Sequence, residues 1–134
     1  MILIDTSAWI EYLRASGSPV NLRVREVLAE DRDFAVCHPV RMEVLMGARD
    51  EEHLRRLSRL LARGRLLPTT PGHFDEGASL YRACRRRGET IRKAMDCLIA
   101  AHAIRAETPV LHCDGDFTVL ARHTAMREET VAAG

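Results

Sequence analysis

At 134 residues, with 46% apolar and 29% charged side chains, the chain has the size and composition of one soluble globular domain, which excludes the disordered and fibrous classes. A net charge of +1 is no signature of a nucleic-acid binder, although Lys93 is the single lysine among 20 basic residues; arginine forks suit phosphate and carboxylate partners, and genomic base composition is also enough to produce such a bias. The four cysteines (Cys37, Cys84, Cys97, Cys113) form no CxxC pair and read as reduced thiols, and neither a basic leader nor a bilayer-length apolar stretch is present, so a soluble, cytoplasmic protein is expected.

In chain order, Ile2-Leu3-Ile4 is an apolar run that meets Asp5 and predicts a strand buried on both faces. Ser7 to Arg14 predicts a short helix with Trp9, Ile10 and Leu13 as its apolar side, broken by Ser16-Gly17-Ser18-Pro19. Val20, Val24, Val27 and Leu28 then recur at helical spacing up to Glu30. Phe34 to Cys37 predicts a second strand, and Pro39 opens a helix carrying Val40, Val44 and Leu45 that stops near Gly47. From Glu51 to Arg63 the pattern is amphipathic, with Leu54, Leu57, Leu60 and Leu61 inward and Arg55, Arg56, Arg59 and Arg63 mostly outward. Leu66-Leu67 is a third strand. A helix from Gly72 to Arg87 is expected to bury Phe74, Ala78 and Tyr81. The most regular helix runs from Arg92 to Ala106, ahead of a strand at Val110 that leads to Asp114. Phe117 to His123 adds a last helix, and Ala125 to Ala132 a weak edge strand. Strand and helix alternate over residues 1–134, which predicts a single domain with a three-layer α/β/α sandwich around a small, mostly parallel sheet.

In open α/β sheets, ligands bind in the crevice beyond the carboxyl ends of the strands. Two strands deliver acids there: the first leads to Asp5, the last to Asp114 and Asp116. Carboxylates brought together in this way repel unless a cation neutralises them. Two further acids break the pattern of their own helices. Asp96 shares a face with Ile99, Ala100 and Ala103, where an unpaired carboxylate is very costly to bury. Glu43 lies on the face of Val40, Val44 and Gly47. An all-carboxylate set of Asp5, Glu43, Asp96, Asp114 and Asp116 suits a hard cation, Mg²⁺ or Mn²⁺. Such an ion activates water and stabilises charge on a phosphoryl oxygen, so phosphodiester hydrolysis is the expected chemistry. Taken singly, Asp5-Thr6-Ser7 also reads as a helix N-cap, and Asp114-Gly115-Asp116 as a turn into a capped helix.

In this order, Asp5-Thr6-Ser7, Glu43, Asp96-Cys97-Leu98-Ile99-Ala100-Ala101 and Asp114-Gly115-Asp116-Phe117 resemble the motifs of PIN-domain nucleases, most closely the VapC toxins of bacterial toxin–antitoxin pairs. The resemblance spans essentially the whole chain. It implies a PIN-like fold and a Mg²⁺-dependent endoribonuclease, with Mn²⁺ able to substitute, that cuts structured RNA, tRNA above all. By position, it implies that Asp5, Asp96 and Asp114 hold the metal directly or through water and that Asp116 supports the metal shell. Glu43 would orient or deprotonate the attacking water or hold a second ion, and Ser7 or Thr6 would hydrogen-bond Asp5 or a metal-bound water. A homodimer and a cognate VapB antitoxin, its C-terminal segment in a groove near the site, are also implied. Many relatives carry Thr, Ser or Asn two residues before the acid of the last strand. This chain has His112 there, which leaves that local hydrogen bond open.

Arg82, Arg85, Arg86, Arg87, Arg92 and Lys93 form the strongest local basic cluster, just ahead of the Asp96 helix. Arg87, Arg92 and Lys93 are the candidates for RNA phosphate contact, although a solvated helix end accounts for such a run equally well. Trp9, Ile10, Leu13, Leu57 and Leu61 are expected in the core, with a partner groove as the alternative. Two other functions compete. One is a catalytically silent module of the same fold that binds RNA or antitoxin, which a missing acid would favour. The other is a phosphotransfer domain, which Asp5 argues against because Ser7 stands where a second acid is wanted.

Overall fold

The computed structural model describes residues 1–129 and 131. Among these the chain forms β1 (Ile2–Ile4), α1 (Thr6–Leu13), α2 (Pro19–Ala29), β2 (Phe34–Cys37), α3 (His38–Met46) and α4 (Glu51–Leu61). It continues with β3 (Arg65–Leu67), α5 (Pro71–Arg86), α6 (Ala94–Arg105), β4 (Val110–Leu111) and α7 (Gly115–His123). The strands lie in the order β3-β2-β1-β4 and all pair in parallel, with Ile2 opposite Phe34, Leu3 opposite Val110 and Cys37 opposite Leu67. Parallel strands covered on both faces must be apolar throughout. Every residue of β1, β2 and β4 is buried, whereas β3, at the edge, leaves Arg65 and Leu66 exposed. The chain builds β1, β2 and β3 in one direction, then returns to set β4 on the other side of β1. Right-handed crossovers send α1 to α4 to one face and α5 and α6 to the other. The helices pack mainly within these groups, α1 against α2 and α3, α3 against α4, and α5, α6 and α7 against one another, with α3 also meeting α6. The expected α/β sandwich forms, and its point of reversal falls between β1 and β4, the crevice where ligands bind in such sheets.

Local packing corrects four sequence expectations. On α1, Ala8 and Trp9 enter the core while Ile10 and Leu13 stay exposed. Trp9 sets this rotation, because its ring packs edge-on against both Tyr12 and Phe34. On α5 the buried face is His73, Gly77, Leu80 and Cys84; of the residues expected there, Tyr81 is half-buried against the core, while Ala78 and Phe74 are exposed, Phe74 by 58%. Gly77 is the reason, since its bare backbone lies so close to α6 that a Cβ there would sit 3.4 Å from Leu98 Cα. On α4, Leu57 and Leu61 are core, but Leu54 and Leu60 are only half-buried. The edge strand expected over 125–132 reduces to one isolated bridge between Val110 and Glu128, with 130 and 132 outside the described residues. Among the described residues no helix is long and apolar enough to cross a membrane.

Candidate active site

Three carboxylates meet at the reversal between β1 and β4. Asp96 lies in the first turn of α6, Asp114 caps α7, and Asp116 lies in the first turn of α7. One oxygen from each falls within 4.8 Å of the others. Asp5 follows β1, and its backbone amide donates to Leu111 O at 2.9 Å, which pins it beside the end of β4. Asp5 stands outside the 4.8 Å triad, yet near enough to Asp96 for the two charges to oppose each other.

Each acid is held by its neighbours. Asp5 Oδ2 accepts from Ser7 N at 3.0 Å and Ser7 Oγ at 2.6 Å, while its Oδ1 is buried without a partner. The same Ser7 Oγ accepts from Cys113 N at 2.9 Å, so one hydroxyl ties the loop after β1 to the loop after β4. Thr6 turns the other way and donates to Glu43 Oε1 at 2.8 Å, which fixes a half-buried side chain on α3. Burial raises the Asp5 pKa; the Ser7 bonds pull it back, and the charge of Glu43 adds to the rise. Asp96 is buried with Oδ2 unpartnered. Burial, and after it the charge of Asp5, pushes the Asp96 carboxyl up to about 8 against the opposing pull of Lys93.

The two acids at α7 stand differently. Burial works against the charge of Asp114, but hydrogen bonds from Lys93 Nζ and Asp116 N outweigh it and hold the carboxyl below its usual range. Asp116 is buried, and its two oxygens accept from the backbone amides of Arg92 and Lys93 at 3.1 and 3.0 Å. It therefore fixes the main chain that enters α6. His112 closes the loop from the other side. Its Nδ1 accepts from Asp114 N at 3.2 Å, which places the ring proton on Nε2, facing Glu128 Oε1 at 2.9 Å. The hydrogen bond left open by the sequence is thus made to the backbone of Asp114, and both ring nitrogens are engaged.

The donors of this cluster are all oxygen. Two buried carboxylate oxygens, Asp5 Oδ1 and Asp96 Oδ2, lack hydrogen-bond partners, an expensive arrangement unless positive charge satisfies them. That combination fits a hard divalent cation.

The PIN-domain family pattern matches residues 2–123. Ribonuclease VapC11 of Mycobacterium tuberculosis is 46% identical over 129 residues, 95% of this chain and 96% of the relative. The chain belongs to the PIN-domain family, in its VapC ribonuclease branch. Among solved structures, the VapBC2 complex of Rickettsia felis bound to a promoter DNA fragment has a TM-score of 0.76 at 20% identity, covering 98% of this chain and 100% of that one. VapBC-1 of nontypeable Haemophilus influenzae has a TM-score of 0.70 at 19% identity, covering 92% and 96%. These two show the shared fold.

In this PIN domain the predicted acids are brought to one end of the sheet, Asp96, Asp114 and Asp116 as the tight group and Asp5 and Glu43 beside it. Among the described residues, the cations paired with the triad are Arg92 and Lys93. Arg92 lies 3.7 Å from Asp114 and 3.6 Å from Asp116 with its side chain 75% exposed. Arg87, grouped with them by sequence, closes α5 and is exposed. Of the apolar residues considered for a partner groove, Trp9, Leu57 and Leu61 are core, while Ile10 and Leu13 are exposed. Two features escape the sequence reading. The Thr6–Glu43 bond spans 37 positions and leaves no local trace. Lys93 as an ion partner of the acids did leave one, because it stands three residues before Asp96 across a helix start.

Proposed function

We propose that this chain is the toxin of a toxin–antitoxin pair, a Mg²⁺-dependent endoribonuclease that hydrolyses phosphodiester bonds of structured RNA, with tRNA as its substrate class and Mn²⁺ able to substitute. The observation that carries this reading is the pair of buried, unpartnered oxygens on Asp5 and Asp96 beside the three-carboxylate group. Asp5, Asp96 and Asp114 would hold the ion, and Asp116 supports them by fixing the entry to α6. When bound, the ion supplies Lewis-acid stabilisation of phosphoryl charge and an activated water. Glu43, steadied by Thr6 and close to Asp5, would orient the attacking water or accept its proton, or hold a second ion. Arg87, Arg92 and Lys93 would contact the RNA backbone and position it without reading bases.

The two structural neighbours are VapBC complexes, which supports a VapB-type antitoxin as the partner here. The exposed Ile10 and Leu13 of α1 and Leu22 of α2 suit such a contact, and the exposed Met42 and Met46 of α3 with Phe74 of α5 suit a second copy of the chain. A cytoplasmic location accords with four free thiols among the described residues. The test is incubation of antitoxin-free protein with total tRNA and Mg²⁺ or Mn²⁺, followed by sequencing of RNA ends. Discrete new ends that vanish with chelator and in Asp5→Asn and Asp96→Asn are expected. Metal-independent cleavage, or full activity in either variant, contradicts the mechanism, and Mn²⁺ binding without cleavage leaves a silent binding module.

A further inference from the structure

Lys93 occupies a place that a solvated lysine has no reason to take. Its Nζ donates to Asp114 Oδ2 and lies 3.7 Å from Asp96 Oδ2, one of the two buried carboxylate oxygens without a hydrogen-bond partner among the described residues. Its main chain is anchored on both sides. The amide donates to Asp116 Oδ2 at 3.0 Å, and the carbonyl accepts from Asp96 N at 3.0 Å as Lys93 caps α6. Asp116 thus uses both its oxygens to hold the Arg92–Lys93 backbone in the one place from which the Lys93 side chain reaches back over Asp114 and Asp96. A divalent ion held by Asp96 and Asp114 would need those same oxygens, and an ammonium bonded to one and 3.7 Å from the other repels it.

We propose that the Lys93 ammonium is the built-in counter-ion of this carboxylate cluster, that a divalent cation binds by displacing it, and that Lys93 thereby sets the metal affinity of the site. The proposal rests on the metal-dependent reading given above. Displaced, the ammonium moves outward from a side chain already half exposed, towards the rim along which an RNA backbone would run.

Because the sequence holds no other lysine, the displacement can be read directly. The unaltered protein is treated with an amine-reactive reagent, with and without saturating Mn²⁺, and Lys93 labelling is followed by mass spectrometry against the N-terminal amine. Released from Asp114, Lys93 is expected to react about tenfold faster with Mn²⁺ present, the scale of one charge-assisted hydrogen bond. An unchanged or slower rate overturns the proposal. Titration calorimetry with Mn²⁺ provides the second arm: Lys93→Met should bind about tenfold tighter than the unaltered protein. Arg92→Met removes a neighbouring charge that makes no side-chain hydrogen bond to the acids, and its gain should be clearly smaller. Equal gains in the two variants would reduce Lys93 to background charge and defeat the idea. If Lys93→Met does not fold, labelling of the unaltered chain decides alone. Absence of any Mn²⁺ heat in the unaltered protein would instead sink the metal reading itself, so the two failures are distinguishable.

Discussion

Asp5 and Asp114 each divide two oxygens between two tasks. One oxygen of Asp5 caps α1 through Ser7 N, and one of Asp114 caps α7 through Asp116 N. The other oxygen of Asp5 is buried without a partner among the described residues, and that of Asp114 accepts from Lys93 Nζ. The capping reading of these segments is therefore correct, and capping leaves each acid a second oxygen for the metal-binding role proposed above. Asp96 was the most legible residue, since a carboxylate on an all-apolar helical face has few structural uses. Its environment also makes a sharp pH prediction. The folded chain holds the Asp96 proton up to about 8, whereas the unfolded chain releases it near 3.8. Stability from this group is therefore full below about 3.8 and is lost as pH rises towards 8. Without added metal, Asp96→Asn should melt higher than the unaltered protein by about 3 °C or more near pH 8.5, and by little near pH 4.5. A difference that does not change with pH would contradict this. Ser7 makes a second prediction at this scale. Ser7→Ala removes the hydroxyl that bridges Asp5 and Cys113 N. RNA cleavage should fall about 10- to 100-fold, as is usual for residues that orient metal ligands, while the melting temperature barely moves.

At the scale of elements, periodicity located every strand and helix because the apolar patterns are long and cleanly punctuated, as at Ser18-Pro19 and Gly47-Ala48. It failed on which face of α5 is buried. Counting large apolar residues favoured Phe74 and Tyr81, but the helix turns Gly77 to α6 because close backbone approach there draws in His73 and Leu80 on either side. The same lesson holds on α1, where the bulk of Trp9 outweighed the stripe it seemed to share with Ile10 and Leu13. A prediction follows for the α5–α6 contact. Gly77→Ala places a methyl at ordinary contact distance and gains helix propensity, so its stability in urea should be unchanged or higher by up to about 1 kcal/mol. Gly77→Leu has no room beside the Leu98 backbone and should lose on the order of 2–3 kcal/mol through overpacking. Equal stability for the two would show that the helices are not in close contact at this point.

For the whole molecule, the decisive fact is topological. Asp5 and Asp114 become neighbours only because β4 returns to the free side of β1, and right-handed crossovers put α6, with Asp96, over that same end. The sequence showed the acids and their order, but the hydrogen bonds that tune them (Ser7 to Cys113, Thr6 to Glu43, Asp116 to the α6 entry) belong to the folded state alone. A cation that binds the native cluster and not the unfolded chain must stabilise the fold by mass action, by about 2.7 kcal/mol at a hundred times its dissociation constant. Saturating Mn²⁺ should therefore raise the melting temperature by several degrees, and Asp96→Asn should abolish most of that gain. The most direct test is a crystal grown with Mn²⁺ and examined by anomalous scattering. A peak bounded by the carboxylates of Asp5, Asp96 and Asp114, with the Lys93 ammonium moved away, is the predicted result. No ordered ion at millimolar Mn²⁺, or one bound away from Asp96, would contradict it.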